Sequence, residues 1–374
     1  MPLNNKKIII ISPEAWGNNF VSKHYYAHYL SKENEVYFLN PPKPWRLKNL
    51  FTRKIEKKKV QKGLWEIDFP FIVPRINLLP KWAQALFFGK QVRQIQEQLG
   101  IEKFDVVWSF TPLIYWNLGA WNTKKRLFHK VDFHPNAYCE KDICESADVV
   151  IGVADTVADP LRPYNSNTHK VGHAAALDDF ENAIPNSNIP GHNKIKVGYI
   201  GNMRKQMDYD VLLAISNTHP EVDFIYIGPY GNSNLSDMNE EKSPEFYKLF
   251  EQQNTFFIGE VPPSALMGYI LSFDVNLVAL TDKENLVYST PHKTMAYFYS
   301  GKATVTSFFQ EYVDKPFLVE MVEKNKDFPA LFSKVISNLE HYNSSEKIKE
   351  RRQFAIDHSY DKRIDKIIQL AELK

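Results

Sequence analysis

The chain has 374 residues, 44% of them hydrophobic and 24% charged, and a formal net charge of +2. At roughly 150 residues per domain this length predicts two domains, and the ordinary composition excludes an intrinsically disordered protein. The near-neutral balance excludes a general nucleic-acid binder and leaves only local electrostatic roles.

A basic start precedes Ile8–Ile11, but that apolar run is too short for the core of a signal peptide. Nothing in the sequence approaches the roughly 20 apolar residues that span a bilayer. Cys139 and Cys144 lack zinc-site spacing and make a thin disulfide framework, so they are read as reduced thiols in a cytoplasmic protein.

In chain order, KKIIIIS (Lys6–Ser12) reads as a strand buried on both faces of a parallel sheet. A loop with Trp16 and Gly17 follows, then a helical stretch from about Ser22 to Ser31 and a strand at EVYFLNPP (Glu35–Pro42), stopped by its proline pair. DVVWSF (Asp105–Phe110), RLFHKVD (Arg126–Asp132) and ADVVIGVA (Ala147–Ala154) are further buried strands. The stretch ENAIPNSNIPGHNK (Glu181–Lys194) has no apolar periodicity and marks a domain boundary. The pattern then restarts. Strands are expected at Lys196–Asn202, Asp223–Pro229, Thr255–Val261, Asp274–Leu280 and Ala303–Phe308, with helices at Tyr209–Ser216, Ser264–Ser272 and Pro291–Ser300. Strands alternating with helices mean crossover units and parallel sheets, whose ligands bind at the strand C-termini.

Two elements of the second half suit an anion. In Ser289-Thr290-Pro291-His292-Lys293, Thr290 is placed as N-cap and Pro291 at the first helical position. Free N–H groups, the helix dipole and Lys293 then suit a diphosphate, although an ordinary capped helix with a solvated lysine fits the same residues. Gly201-Asn202-Met203-Arg204-Lys205 follows the first strand of that half. Its glycine admits close backbone approach and its basic pair neutralises phosphate; a plain surface loop is the alternative. No Walker or G-x-G-x-x-G loop is present, which argues against a kinase or a dinucleotide dehydrogenase. In the first half, Asp132 and His134 follow a strand end and are the candidates for catalytic proton and hydroxyl contacts; a loop-capping Asp and a solvated His fit the same spacing. Trp16, His24 and His173 are candidates for the acceptor side, and each histidine equally fits a structural role.

The segment Lys43–Lys62 gathers nine lysines and arginines around the single acid Glu56, with Trp45, Phe51 and Trp65 within or beside it, and FIVPRINLLPKWAQALFFGK follows at Phe71–Lys90. Basic residues, aromatics and an amphipathic continuation suit contact with anionic lipid through residues 43–90; a solvated face or RNA contact are the competing readings.

The second half resembles retaining glycosyltransferases of the GT-B fold, in particular the sucrose-synthase-like family four. The resemblance rests on VGYIGNMRKQMDYDVLLAISNTHPEVDFIYIGP, NTFFIGEVPPSALMGYILSFDVNLVAL and STPHKTMAYFYSGKATVTS, in the family's order over Val197–Ser307. DHSYDKRIDKII (Asp357–Ile368) resembles the family's terminal helix. The resemblance implies an α/β protein of two Rossmann-like domains facing across a cleft. Its expected divisions are an acceptor domain at 1–183, a linker at 184–194, a donor domain at 195–345, and C-terminal helices at 346–374 packing back on the first domain.

It also implies a nucleotide-diphosphate sugar as substrate, UDP-sugar favoured, with a glycan or lipid-linked acceptor in polysaccharide or glycoconjugate synthesis. No cofactor, metal or nucleic acid is expected. Gly201 and Asn202 would lie under the diphosphate, with Arg204 or Lys205 as basic partner. Gly228, Pro229, Glu260, Val261 and Pro262 would line the base pocket. Ser289, Thr290 and Lys293 would hold the distal phosphate, with Pro291, His292, Tyr297 and, from the first half, Gly17 completing the donor side. The chain departs from the family where Ala296 stands in place of a ribose-binding glutamate, and where the HG-x-D element becomes His173-Ala174-Ala175-Ala176-Leu177-Asp178. Glu284 is one replacement for the lost carboxylate. The departure keeps a sugar-nucleotide epimerase and a non-catalytic partner subunit as alternatives.

Overall fold

The computed structural model describes residues 3–17, 20–43, 54–70, 76–132, 137–203, 205–230, 242–282 and 291–373. The chain divides into two compact units, residues 1–173 with 360–374, and residues 174–359.

The first unit holds strands β1 (Lys7–Ile11), β2 (Glu35–Leu39), β3 (Glu56–Gln61), β4 (Leu64–Asp68), β5 (Phe104–Ser109), β6 (Thr123–Lys130), β7 (Val149–Gly152) and β8 (Thr168–Lys170). They form one sheet in the order β3-β4-β2-β1-β5-β6-β7-β8. All neighbours are parallel except β3 and β4, which pair antiparallel. The central strand shows why an unbroken apolar run was legible: Ile8, Ile9, Ile10 and Ile11 are all fully buried, as a strand covered on both faces requires. The edge strand β3 is the opposite case. Its EKKK run is exposed, and lysines on an unpaired edge discourage pairing with another chain.

The second unit holds β9 (Ile195–Ile200), β10 (Val222–Ile227), β11 (Thr255–Gly259), β12 (Val275–Val278), β13 (Ala303–Thr306) and β14 (Glu320–Met321). Their order is β11-β10-β9-β12-β13-β14, all parallel. Counted within the unit this is 3-2-1-4-5-6, the doubly wound order whose direction reverses between the first and fourth strands.

The division falls at His173/Ala174, before the Pro/Asn/Gly stretch that the sequence marks. The reason is packing. Ala175 and Phe180 join the apolar cluster of Met267, Ile270 and Phe298, and Asn186 donates its N–H to the Gly268 carbonyl at 3.1 Å. Of residues 346–374, expected to return to the first unit, 360–374 belong to it and 346–359 to the second. The helix Ser345–Asp357 stays in the second unit, where buried Arg351 donates to the carbonyls of Gly301 (3.2 Å), Tyr342 (2.9 Å) and Phe317 (3.2 Å). Only the helix Tyr360–Leu370 belongs to the first unit, with Tyr360 stacked on Tyr25 and Tyr29.

Candidate functional site

The switch point of the second sheet lies where β9 and β12 part. Their pairing ends at Gly198 opposite Asn276. Two positions further on, the N–H of Ile200 faces the same side and is accepted by the Tyr297 hydroxyl at 2.8 Å. The strands thus separate without orphaning a buried donor. Beyond the split the two strand exits are tied together. Asp208 N–H donates to Ala279 O (3.0 Å), Thr281 N–H donates to Gln206 O (2.8 Å), and Met207 forms an antiparallel bridge with Leu280. Asn325 braces both: its side-chain amide donates to Asp208 Oδ2 (2.6 Å) and to Leu280 O (2.5 Å), and its N–H to Asp282 Oδ2 (3.1 Å).

Three adjacent strands leave the sheet through glycines in the left-handed region, Gly201 (φ 140°), Gly228 (φ 133°) and Gly259 (φ 80°). They are linked by N–H donation from Gly201 to Ile227 O and from Gly228 to Gly259 O, both 2.8 Å. At two of them a Cβ would also meet a close neighbour, backbone at Gly228 and a flexible side chain at Gly201. A Cβ on Gly228 would stand 2.3 Å from the Gly201 carbonyl oxygen, and one on Gly201 would stand 2.2 Å from Lys293 Nζ.

That last distance defines the site. The Lys293 ammonium lies against the Gly201 Cα and 4.0 Å from the centre of the Tyr199 ring. The Tyr199 hydroxyl donates to Asn202 O at 3.2 Å. No acid pairs with Lys293 among the described residues, and burial pushes its pKa down to about 7. A cation over an aromatic face beside a glycine turn, lacking a protein counter-charge, suits an incoming anion. Lys242 adds a second cation, donating to Met203 O at 2.6 Å. Tyr199, Lys242 and Asn325 were not singled out from the sequence. Only Lys242 carried a signal, a basic residue just before a helix.

The other expected residues are placed as follows. Ser289, Thr290, Glu284, Arg204 and His134 lie outside the described residues. The helix expected from Pro291 begins at Thr294. Pro291 to Lys293 form a turn whose carbonyls accept from the N–H groups of Thr294, Met295 and Ala296 at 3.0–3.2 Å, the first bonds of the helix. His292 is half-buried and Lys205 exposed. Tyr297 is fully buried, so it braces the β9 exit and does not line a ligand surface. Ala296 packs on the core beneath this helix. Pro229 follows Gly228, and Glu260, Val261 and Pro262 follow Gly259, beyond the neighbouring strand ends.

In the first unit His24 is buried and its ring is spent internally. Nδ1 accepts from Val21 N–H (3.2 Å), so Nε2 carries the proton and donates to Ala15 O (3.1 Å), while burial lowers its pKa. This corrects the acceptor role, because no ring nitrogen is left for a ligand. Trp16 packs edge-on against His24 and Phe38 and donates its N–H to Asn40 Oδ1 at 2.8 Å. Gly17 and Asp132 are exposed. His173 accepts at its carbonyl from Arg363 Nε at 3.3 Å. Cys139 and Cys144 are free and buried, and burial pushes the Cys144 thiol up to about 12. Among the described residues no group of three or more His, Cys, Asp or Glu side chains is arranged to hold a metal ion.

Two doubly wound units, the second with order 3-2-1-4-5-6 and its glycine exits, define the class: the chain has the GT-B fold of glycosyltransferase structures. Solved structures with this fold include sucrose-phosphate synthase from Thermosynechococcus elongatus, 12% identical over 98% of each chain with a TM-score of 0.71. A glycosyltransferase from Rickettsia africae is 14% identical over 99% of this chain and 98% of that one, with a TM-score of 0.67. The Anabaena protein HepE, solved in complex with UDP and glucose, is 12% identical over 99% of this chain and 100% of that one, with a TM-score of 0.67. No protein-family model matches the chain, and no curated protein matches it in sequence.

Proposed function

We propose that the chain is a glycosyltransferase that takes a sugar from a nucleotide-diphosphate donor, UDP-sugar favoured, and passes it to a glycan or lipid-linked acceptor. The observation that carries this reading is the Lys293 ammonium held against Gly201 at the β9/β12 switch point with no protein counter-ion among the described residues. The diphosphate occupies that place, with Gly201 and Asn202 beneath it and Gly228, Pro229 and Glu260–Pro262 toward the base. HepE, of the same fold, was solved with UDP and glucose, which supports the choice of donor.

In the proposed reaction the bond between the sugar's anomeric carbon and the diphosphate breaks, and a bond to the acceptor hydroxyl oxygen forms on the same face. The hydroxyl proton passes to the departing phosphate, giving retention of configuration. Lys293 offsets the charge that grows on the leaving diphosphate, the kind of preorganised stabilisation that contributes most to such reactions. Asp132 and His134 are proposed as the catalytic contacts to the sugar and acceptor hydroxyls.

The test is calorimetry with UDP, GDP, ADP and CMP, followed by a release assay with the sugar form of the nucleotide that binds. Nucleotide diphosphate binding with acceptor-dependent release is the expected result. Absence of any nucleotide diphosphate binding would overturn the reading. Conversion of the donor without an acceptor would replace it with the epimerase.

A further inference from the structure

The helix Lys81–Leu99 already has a complete inner face: Ala83, Gln84, Phe88, Gln91, Val92, Ile95 and Gln96 are buried, and Phe88, Val92 and Ile95 enter the main core of the first unit. Its outer face is therefore not needed for folding, yet it begins apolar. Leu78, Trp82 and Leu86 recur every four residues and are 78%, 70% and 67% exposed, with Phe87 41% exposed beside them. Trp82 and Leu86, four apart on the helix, lie on one stripe, and Leu78 is exposed at the end of the short 3-10 turn Ile76–Leu78 just before it. Exposed apolar residues are ordinary singly, but a stripe of this kind marks a contact surface.

The same outward line continues with Lys90 and Arg93, both exposed and in no ion pair among the described residues. No acidic residue occurs in the sequence between Asp68 and Glu97. Lys81, at the apolar end, is tied to Asp142 at 2.6 Å. An apolar ridge followed by unpaired cations matches an anionic bilayer surface, with the ridge in the acyl boundary and the cations at the headgroups.

The structure also narrows the basic segment singled out from the sequence. Lys43 is neutralised by Glu56 and Asp68, Lys57 lies over the Tyr37 and Trp65 rings, and Lys58 faces Glu66 at 3.7 Å. Trp45, Phe51 and the lysines and arginines between Lys43 and Lys54 lie outside the described residues.

We infer that the outer face of the helix Lys81–Leu99, with Trp82 and Leu86 followed by Lys90 and Arg93, together with Leu78 in the turn before it, is a docking surface for an anionic lipid bilayer. The proposal stands apart from the donor site, because it uses only residues of the first unit and predicts no change in nucleotide affinity.

The test is co-sedimentation of the full chain with vesicles of phosphatidylcholine alone and of phosphatidylcholine mixed with phosphatidylglycerol. Binding to the mixed vesicles, weakened by added salt, is expected. Lys90→Gln with Arg93→Gln should lower the partition constant roughly thirtyfold, about one unit of basic attraction lost at each residue. Trp82→Ser with Leu86→Ser should abolish binding. All four changes are at exposed positions, so unfolding midpoints and nucleotide affinity without vesicles should match the parent and separate this proposal from the donor reading. Failure to bind mixed vesicles, or equal binding by the variants, would overturn it. So would self-association in sedimentation velocity that Trp82→Ser with Leu86→Ser removes while vesicles stay unbound, since a second copy would then be the occupant.

Discussion

The Tyr297 hydroxyl accepts the Ile200 N–H at 2.8 Å and so substitutes for the strand partner that β9 loses where it parts from β12. Phenylalanine at 297 would keep the ring and remove the acceptor. The buried N–H would then be left unmade, a cost of about 1–3 kcal/mol. Chemical denaturation of Tyr297→Phe should show that loss, and nucleotide affinity should fall as the adjoining Gly201 turn loosens. Parent stability in the variant would show that the bond is dispensable.

Lys293 should separate stability from binding. Its cation is desolvated, so Lys293→Met should leave the protein as stable as the parent or more so, since a buried charge without a partner is replaced by an apolar chain. Nucleotide diphosphate binding should nonetheless weaken by about 1–3 kcal/mol, the loss of a charged hydrogen bond. Equal affinity in calorimetry would remove Lys293 from the phosphate site.

The same lysine predicts a pH dependence of binding. With the free-state pKa near 7, the ammonium is present below that value and is lost as pH rises through it. A bound diphosphate favours the charged form, so above pH 7 binding must take up a proton and affinity should fall by about tenfold per pH unit. Proton uptake measured in buffers of different ionisation enthalpy checks this, and the slope should vanish in Lys293→Met.

The two tight glycines should respond differently. At Gly228 the clash is with backbone, the Gly201 carbonyl, and φ is 133°. Gly228→Ala should cost about 2–4 kcal/mol, combining the left-handed strain with overpacking. At Gly201 the nearest atom is the tip of a flexible lysine. Gly201→Ala should therefore lose less stability but displace Lys293 and weaken nucleotide binding. Thermal unfolding and calorimetry on the pair distinguish the two effects.

His129 should make the first unit acid-sensitive. It is buried among Tyr26, Trp108 and Phe110, with Nδ1 unpartnered among the described residues, and burial lowers its pKa to about 3. The folded value lies below the ordinary 6.5, so the unfolded chain binds more protons between the two. Stability should be full above about 6.5 and fall by roughly 1.4 kcal/mol per pH unit toward 3. His129→Phe should flatten that part of the profile in denaturation series at several pH values.

The inner strands were readable because burial on two faces makes them mainly apolar or β-branched: β9 to β13 fall within one or two residues of the runs at Lys196, Asp223, Thr255, Asp274 and Ala303. The β3–β4 hairpin was not readable, because an edge strand carrying EKKK looks like a solvated segment until β2 is seen beside β4. Short β8 and β14 offer too few residues to show a pattern. At the site, Gly201 and Lys293 were each legible from local chemistry, but their contact was not, since no spacing rule links a strand exit to a turn so far along the chain. Tyr199 and Asn325 were hidden for the same reason. Tyr297 was assigned to the ligand and instead serves the backbone, a difference that only burial reveals.

The crossings between the two units have a consequence for topology. The second unit leaves and re-enters the first at neighbouring points. Ala175 N–H donates to His358 O at 3.0 Å and Ala175 bridges Ser359, while His173 O accepts from Arg363 at 3.3 Å. The second unit is thus an insertion closed at its base, and joining the ends of either unit spans little distance and carries little loop-closure entropy. Residues 174–359 are thus one continuous stretch that carries the whole of the second sheet and the Lys293–Gly201 contact.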